Sequence, residues 1–282
     1  MPYFQDASNI LITGAIFNDY ANLNVEKHAH GTDLNHLHDN VIQDALHYSN
    51  QSPPTEPVEH SDSFYSHEFM TEMCSQYVTV LFGEPKDTNP IAAAIAAAEE
   101  REEKLVGSFF FSRDDQGRNA TSDFVKAITA QMTISIPESR KYVAEAFSED
   151  PMVYKRSLDI QLERLIIKPL QRTRSYLNKN ATPSLVVIGN LDECGDPSEQ
   201  FRILDRISAM LLQHQLPLSF LITARPLSYL RDFVSQDHFQ QIVHCLDIPS
   251  PVSAYDDPHI TRASKHAASN VPSSSSDDVD MG

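Results

Sequence analysis

Two hydrophobic patterns alternate along this chain. Short, nearly unbroken apolar runs fall at residues 77–82, 106–111, 184–189 and 218–223, with a weaker one at 240–246. Runs of that length predict strands buried on both faces, as in a parallel sheet covered by helices. Between them lie stretches whose apolar positions recur at helical spacing: an Ala-rich one at 91–104, then 122–132, 139–147, 157–177 and 198–214, and another after Pro226. The clearest, 157–177, sets Leu158, Leu162, Leu165, Ile166 and Leu170 along one face. Strands alternating with helices predict an α/β domain on a mainly parallel five-stranded sheet.

The segment ahead of these elements reads differently. Residues 4–24 alternate with period two at Ile10, Ile12, Ala15 and Phe17, which predicts a short strand pair. Residues 32–49 carry Leu34, Leu37, Val41 and Leu46 at helical spacing behind a Thr32 or Asp33 cap. The expected organisation is a strand pair and amphipathic helix at 1–49, a linker with three prolines at 50–63, the α/β domain at 64–248, and an acidic, Ser-rich tail at 249–282 too polar to fold alone.

Composition narrows the function classes. With 282 residues and 41% hydrophobic content there is enough apolar surface for a sizeable core. The formal charge of -17 opposes attraction to nucleic acid or anionic lipid, so partners are expected to be proteins. Cys74, Cys194 and Cys245 are odd in number and widely spaced, without disulfide or zinc spacing, and no apolar run suffices for a membrane span. The expected setting is the cytoplasm.

Candidate chemistry centres on SLVVIGNLDECGD at 184–196. Acidic residues at the carboxyl end of a buried strand stand where α/β proteins bind ligands, so Asp192 and Glu193 are candidate catalytic groups. A nucleotide site would also need a phosphate loop, GxxxxGK[ST], after the first strand. The candidate is Gly83-Glu84-Pro85-Lys86-Asp87-Thr88-Asn89-Pro90, in which only Gly83 fits. Thr88 disfavours positive φ, Asn89 removes the lysine charge, and Pro90 lacks both hydroxyl and amide. Lys86 could reach a phosphate from a displaced position, but Glu84 and Asp87 leave the loop with a net negative charge. Losing one preorganised contact typically costs about 2.7–4 kcal/mol of transition-state stabilisation, so losing several removes useful turnover.

These pieces resemble the NACHT class of STAND P-loop NTPases, in particular fungal (basidiomycete) proteins with a nephrocystin-3-like N-terminal domain. The resemblance rests on SFFFSR at 108–113, EDP at 149–151 with LERLIIKPL at 162–170, the 184–196 stretch, and LSFLITARP at 218–226. FQDASNILITGAIFNDY is similar to the leader of basidiomycete members. The resemblance implies a three-layer P-loop NTPase-like sandwich carrying the small N-terminal extension. It makes Asp192 and Glu193 vestigial Walker B acids, with Gly189-Asn190 where the family has Asp-Gly, and Arg225 a γ-phosphate sensor position. ATP or GTP with magnesium would be the cofactor of any residual binding, and none is expected. Such proteins continue into helical and winged-helix regions and then repeats, so the polar residues after Leu246 are expected not to build that switch.

Plainer readings stand beside these. Asp196 and Ser198 are placed to cap the next helix, and Arg225 could pair with Asp192 or Glu193. His28, His30, His36 and His38 form two HxH pairs, more readily solvated histidines than a metal site. Cys194 reads as a small buried thiol and Phe109–Phe111 as core. The expected function is a degenerate, interaction-type or signalling domain without metal. The alternatives are a slow Mg-dependent ATPase or GTPase using Lys86 and Glu193, and a scaffold self-associating through residues 4–24.

Overall fold

The computed structural model describes residues 45–47, 77–177 and 184–249. Five strands form one all-parallel sheet: β1 (Val78–Phe82), β2 (Leu105–Phe110), β3 (Leu185–Gly189), β4 (Ser219–Ala224) and β5 (Val243–Asp247), in spatial order β2-β3-β4-β1-β5. The first four are buried at every position, which is why their sequences show no alternation. β5, at one edge, is partly exposed throughout.

The crossovers fix the layers. The chain moves from β1 across to edge strand β2 and then returns through β3 and β4 to β5 on the far side. Because such connections are right-handed, the first must lie on one face and the rest on the other. Helix α1 (Pro85–Arg101) accordingly packs Ile91, Ala92, Ala93, Ile95 and Ala96 against Leu81, Leu185, Val187 and Leu221. Its alanines let the helix approach the sheet closely.

The opposite face carries α2 (Thr121–Ser135), α3 (Arg140–Glu149), α4 (Leu158–Leu162), α5 (Lys168–Leu177), α6 (Pro197–Leu212) and α7 (Ser228–Val234), with the short α8 (Asp237–Gln240) beside them. Residues of these elements form the larger core, around Phe109, Ile128, Leu162, Leu165, Ile188 and Ile207. Together the layers make the three-layer α/β sandwich of a P-loop NTPase-like domain.

Several details depart from the periodicity. The helix expected from 91 starts at Pro85, which presets φ for a first helical position and needs no amide there. The 157–177 helix is interrupted by a π turn, Glu163–Ile167, in which the Lys168 amide reaches the Glu163 carbonyl. Pro169 follows immediately, and the widened turn accommodates its missing amide and bulky ring. Leu165, Ile166 and Ile167 are all buried within this turn. The expected strand pair at 4–24, the linker, the tail and the four histidines lie outside the described residues. Of the expected 32–49 helix only 45–47 are described, and there Leu46 and His47 already lie in a turn.

Edge strand β2 is closed by side chains. The Gln131 amide on α2 accepts from the Ser108 N–H at 2.9 Å and donates to the Ser108 carbonyl at 2.8 Å, taking the place of a neighbouring strand. The Ser135 hydroxyl donates to the Val106 carbonyl. Gly107 makes room, since a Cβ there would lie 3.0 Å from Gln131 Cβ. Among the described residues no helix is long and apolar enough to cross a membrane.

Gln131→Ala leaves both backbone groups of fully buried Ser108 without these partners. The expected cost is about 1–3 kcal/mol, read as a lowered urea midpoint with an unchanged slope.

Candidate functional site

The carboxyl ends of β1, β3 and β4 come together, and with them Gly83, Thr88, Asn89, Asp192, Glu193 and Arg225. β1 runs into α1 through only Gly83 and Glu84. The candidate loop is therefore mostly helix. A phosphate loop works by leaving successive amides aimed at the anion. Here the amides of Asp87 and Thr88 both donate to the Glu84 carbonyl, at 2.9 and 3.0 Å, and Pro85 and Pro90 have none. Thr88, Asn89 and Pro90 are buried in the helix, while Lys86 and Glu84 are exposed. Gly83 serves packing: a Cβ there would stand 2.8 Å from Thr88 Cγ2 and 3.1 Å from the Ile248 carbonyl oxygen.

Asn89 ties α1 to the sheet. Its Oδ1 accepts from the Thr223 hydroxyl on β4 at 3.1 Å, and Thr223 Oγ1 accepts from the Asn190 amide at 2.9 Å. Asn190 ends β3 in the left-handed region, at φ 54°, which Asn tolerates better than most residues. Its side-chain amide donates to the Phe111 carbonyl. Four elements thus share one hydrogen-bond relay in a buried space.

Gly189 stands where the resembled family has an Asp. An ideal Cβ at Gly189 would lie 2.0 Å from Phe110 Cδ1 and 2.6 Å from Cε1. The ring of Phe110, itself buried, fills the volume a carboxylate would need.

The next turn, Leu191–Glu193, holds the acids. Asp192 is fully buried, and its two oxygens accept from the Arg225 amide at 3.0 Å and from Arg225 Nε at 2.6 Å. That hydrogen bond and charge push the Arg225 guanidinium further toward its protonated form. Glu193 accepts from the Arg113 amide, while Arg113 Nη2 donates to the Asp192 carbonyl. Removing one partner of a buried pair costs roughly 3–5 kcal/mol; because the Arg225 side chain keeps 36% exposure, solvent screening places this pair at the low end. Both oxygens of Asp192 are committed to Arg225, and Glu193 commits Oε2 to the Arg113 amide. Among the described residues no three His, Cys, Asp or Glu gather as a metal site.

Sequence reasoning missed Gln200. Its side chain, 1% exposed, donates to the carbonyls of Asp192 and Cys194 and accepts from the Tyr229 hydroxyl, holding the acidic turn from below. The available signal was a glutamine on the apolar face of α6, in line with Ile203, Leu204 and Ile207. Asp196 caps that helix, accepting from the amides of Ser198 and Glu199. The Ser198 hydroxyl and these amides hold its carboxyl below the usual range.

Two outcomes check this packing. Gly189→Asp is expected to destabilise the chain, and adding Phe110→Ala recovers part of the loss, as measured by chemical denaturation of both variants. Burial pushes the Cys194 thiol up to about 12, helped by Glu199 and Asp196. Unfolded, that thiol ionises nearer 9.0, so between these values the folded state holds more protons and stability falls as pH rises. Unfolding midpoints from pH 8 to 11 should decline with a slope that Cys194→Ala reduces, and native Cys194 should resist alkylation at pH 8 while exposed Cys245 reacts.

A solved structure of Drosophila ORC bound to GC-rich DNA and Cdc6 is matched at 10% identity and a TM-score of 0.39, over 88% of this chain and 36% of that one. The chain therefore spans about a third of the solved chain's length. No curated protein matches. Residues 90–225, from the buried part of α1 to Arg225, match the family described as Nephrocystin 3, N-terminal, and over that span the chain is nephrocystin-3-like.

Proposed function

We propose that this is a degenerate NACHT-type P-loop domain of the STAND class, of fungal kind, acting as a protein-interaction or signalling module with little or no NTP hydrolysis. The observation that carries the reading is that the polar side chains at the carboxyl ends of β1, β3 and β4 are bonded to one another. Asn89 and Thr223 bond to each other, Phe110 fills the space over Gly189, and Asp192 is bound to Arg225. A nucleotide would have to displace all of these while facing Glu84 and Asp87, and phosphoryl transfer depends almost wholly on positioning and charge. The nephrocystin-3-like match over residues 90–225 supports the P-loop-like part of this reading.

What remains usable is surface, and the acidic balance of the chain favours protein partners over nucleic acid or anionic lipid. Isothermal titration of the full chain with Mg-ATP and Mg-GTP should give no binding heat, and malachite-green assays no phosphate release. Micromolar affinity accompanied by turnover would sink this reading in favour of a slow NTPase. In that case Lys86→Ala, at an exposed position on the first turn of α1, should abolish the binding.

A further inference from the structure

We propose that residues 45–47 are a clasp that fastens the N-terminal arm of the chain onto the β2 edge, so that arm and sheet behave as one unit. The three residues lie far ahead of β1 in sequence yet are buried as deeply as the core: Ala45 is 0%, Leu46 2% and His47 3% exposed. Ala45 and Leu46 belong to the larger hydrophobic cluster. This segment lies outside the stretch that matches the nephrocystin-3-like family.

His47 supplies the specificity. Its backbone amide donates to Ser108 Oγ at 3.2 Å across 61 positions of sequence, and its Nδ1 lies 2.8 Å from the same oxygen. Its Nε2 lies 3.2 Å from Glu100 Oε2 on α1. In the neutral ring these contacts fit one arrangement: Nε2–H donates to the Glu100 carboxylate, Nδ1 accepts from the Ser108 hydroxyl, and the hydroxyl oxygen accepts from the His47 amide. One imidazole thus bridges the edge strand and the helix on the first face of the sheet. Ser108 is also the residue whose backbone the Gln131 amide completes, so α2 and the arm converge on the same point of the edge.

The physical case for a clasp is that a long connection weakens such docking little, since loop-closure entropy rises only logarithmically with length. Two buried aliphatic side chains and a satisfied polar bridge supply both adhesion and register. A partner that grips the arm therefore acts directly on β2 and α1. The proposal does not depend on whether the nucleotide site is empty.

The test keeps the full chain. A site-specific protease sequence is inserted between Pro54 and Thr55, the protein is cut, and the cut product is run by size exclusion under native conditions. The arm is expected to co-elute with the remainder, and in Leu46→Asp or in His47→Ala with Ser108→Ala to separate from it. Far-UV circular dichroism and a retained cooperative melt distinguish release of the arm from loss of the fold. An arm that leaves the parent protein on cleavage overturns the clasp. So does an arm that stays bound in Leu46→Asp with the fold intact.

Discussion

The carboxyl end of a buried parallel sheet collects polar groups that cannot be left without partners, because each unsatisfied one costs about 1–3 kcal/mol. In this chain the buried Asp192 carboxylate is the hardest of these to place. Both its oxygens are taken by Arg225, and its carbonyl by Arg113 and Gln200. That arrangement fixes the turn after β3, hence the start of α6 capped by Asp196, and hence the register in which α6 covers the sheet. A nucleotide and its metal could serve as the shared partner at such a strand end. Here the connections to β2, β3 and β4 hold one another.

The sheet and its helices were legible because burial writes itself into composition. Four strands buried at every position leave apolar runs, and helices with one buried face leave a helical period. The start of α1 was not legible in the same way. Pro85-Lys86-Asp87 has no apolar period, and at Gly83, the one residue that fitted the phosphate-loop pattern, Thr88 and Ile248 leave no room for a Cβ. The π turn before Pro169 was equally hidden, since the apolar positions of 157–177 fit an uninterrupted helical period.

At the site, sequence could name residue types but not their commitments. Asp192, Glu193 and Arg225 were identifiable from their place at strand ends; that Asp192 spends both oxygens on Arg225 follows only from distances. The role of Phe110 was invisible for a further reason. In a triplet of phenylalanines each ring reads as core, and only the sheet register, which sets Phe110 beside Gly189, shows that one of them fills the space a side chain at position 189 would need. Gln131 and Gln200 share this character: a glutamine inside an apolar stripe is a signal that some backbone group needs a partner, without saying which.

The contacts at this end of the sheet are shared among elements. Three separate elements contribute: α1 through its early start and Asn89, β2 through Phe110, and β4 through Thr223 and Arg225. Asn89, Phe110 and Thr223 are buried and Arg225 is held by buried Asp192, so each contributes to the stability of the fold. Restoring a carboxylate after β3 meets the Phe110 ring; restoring a lysine at position 89 removes the acceptor of the Thr223 hydroxyl; restoring a free loop requires unwinding the first turns of α1 from a sheet whose strand ends they cover. Such changes are coupled through contact and therefore not additive. A single substitution at this end of the sheet is therefore felt by several elements at once.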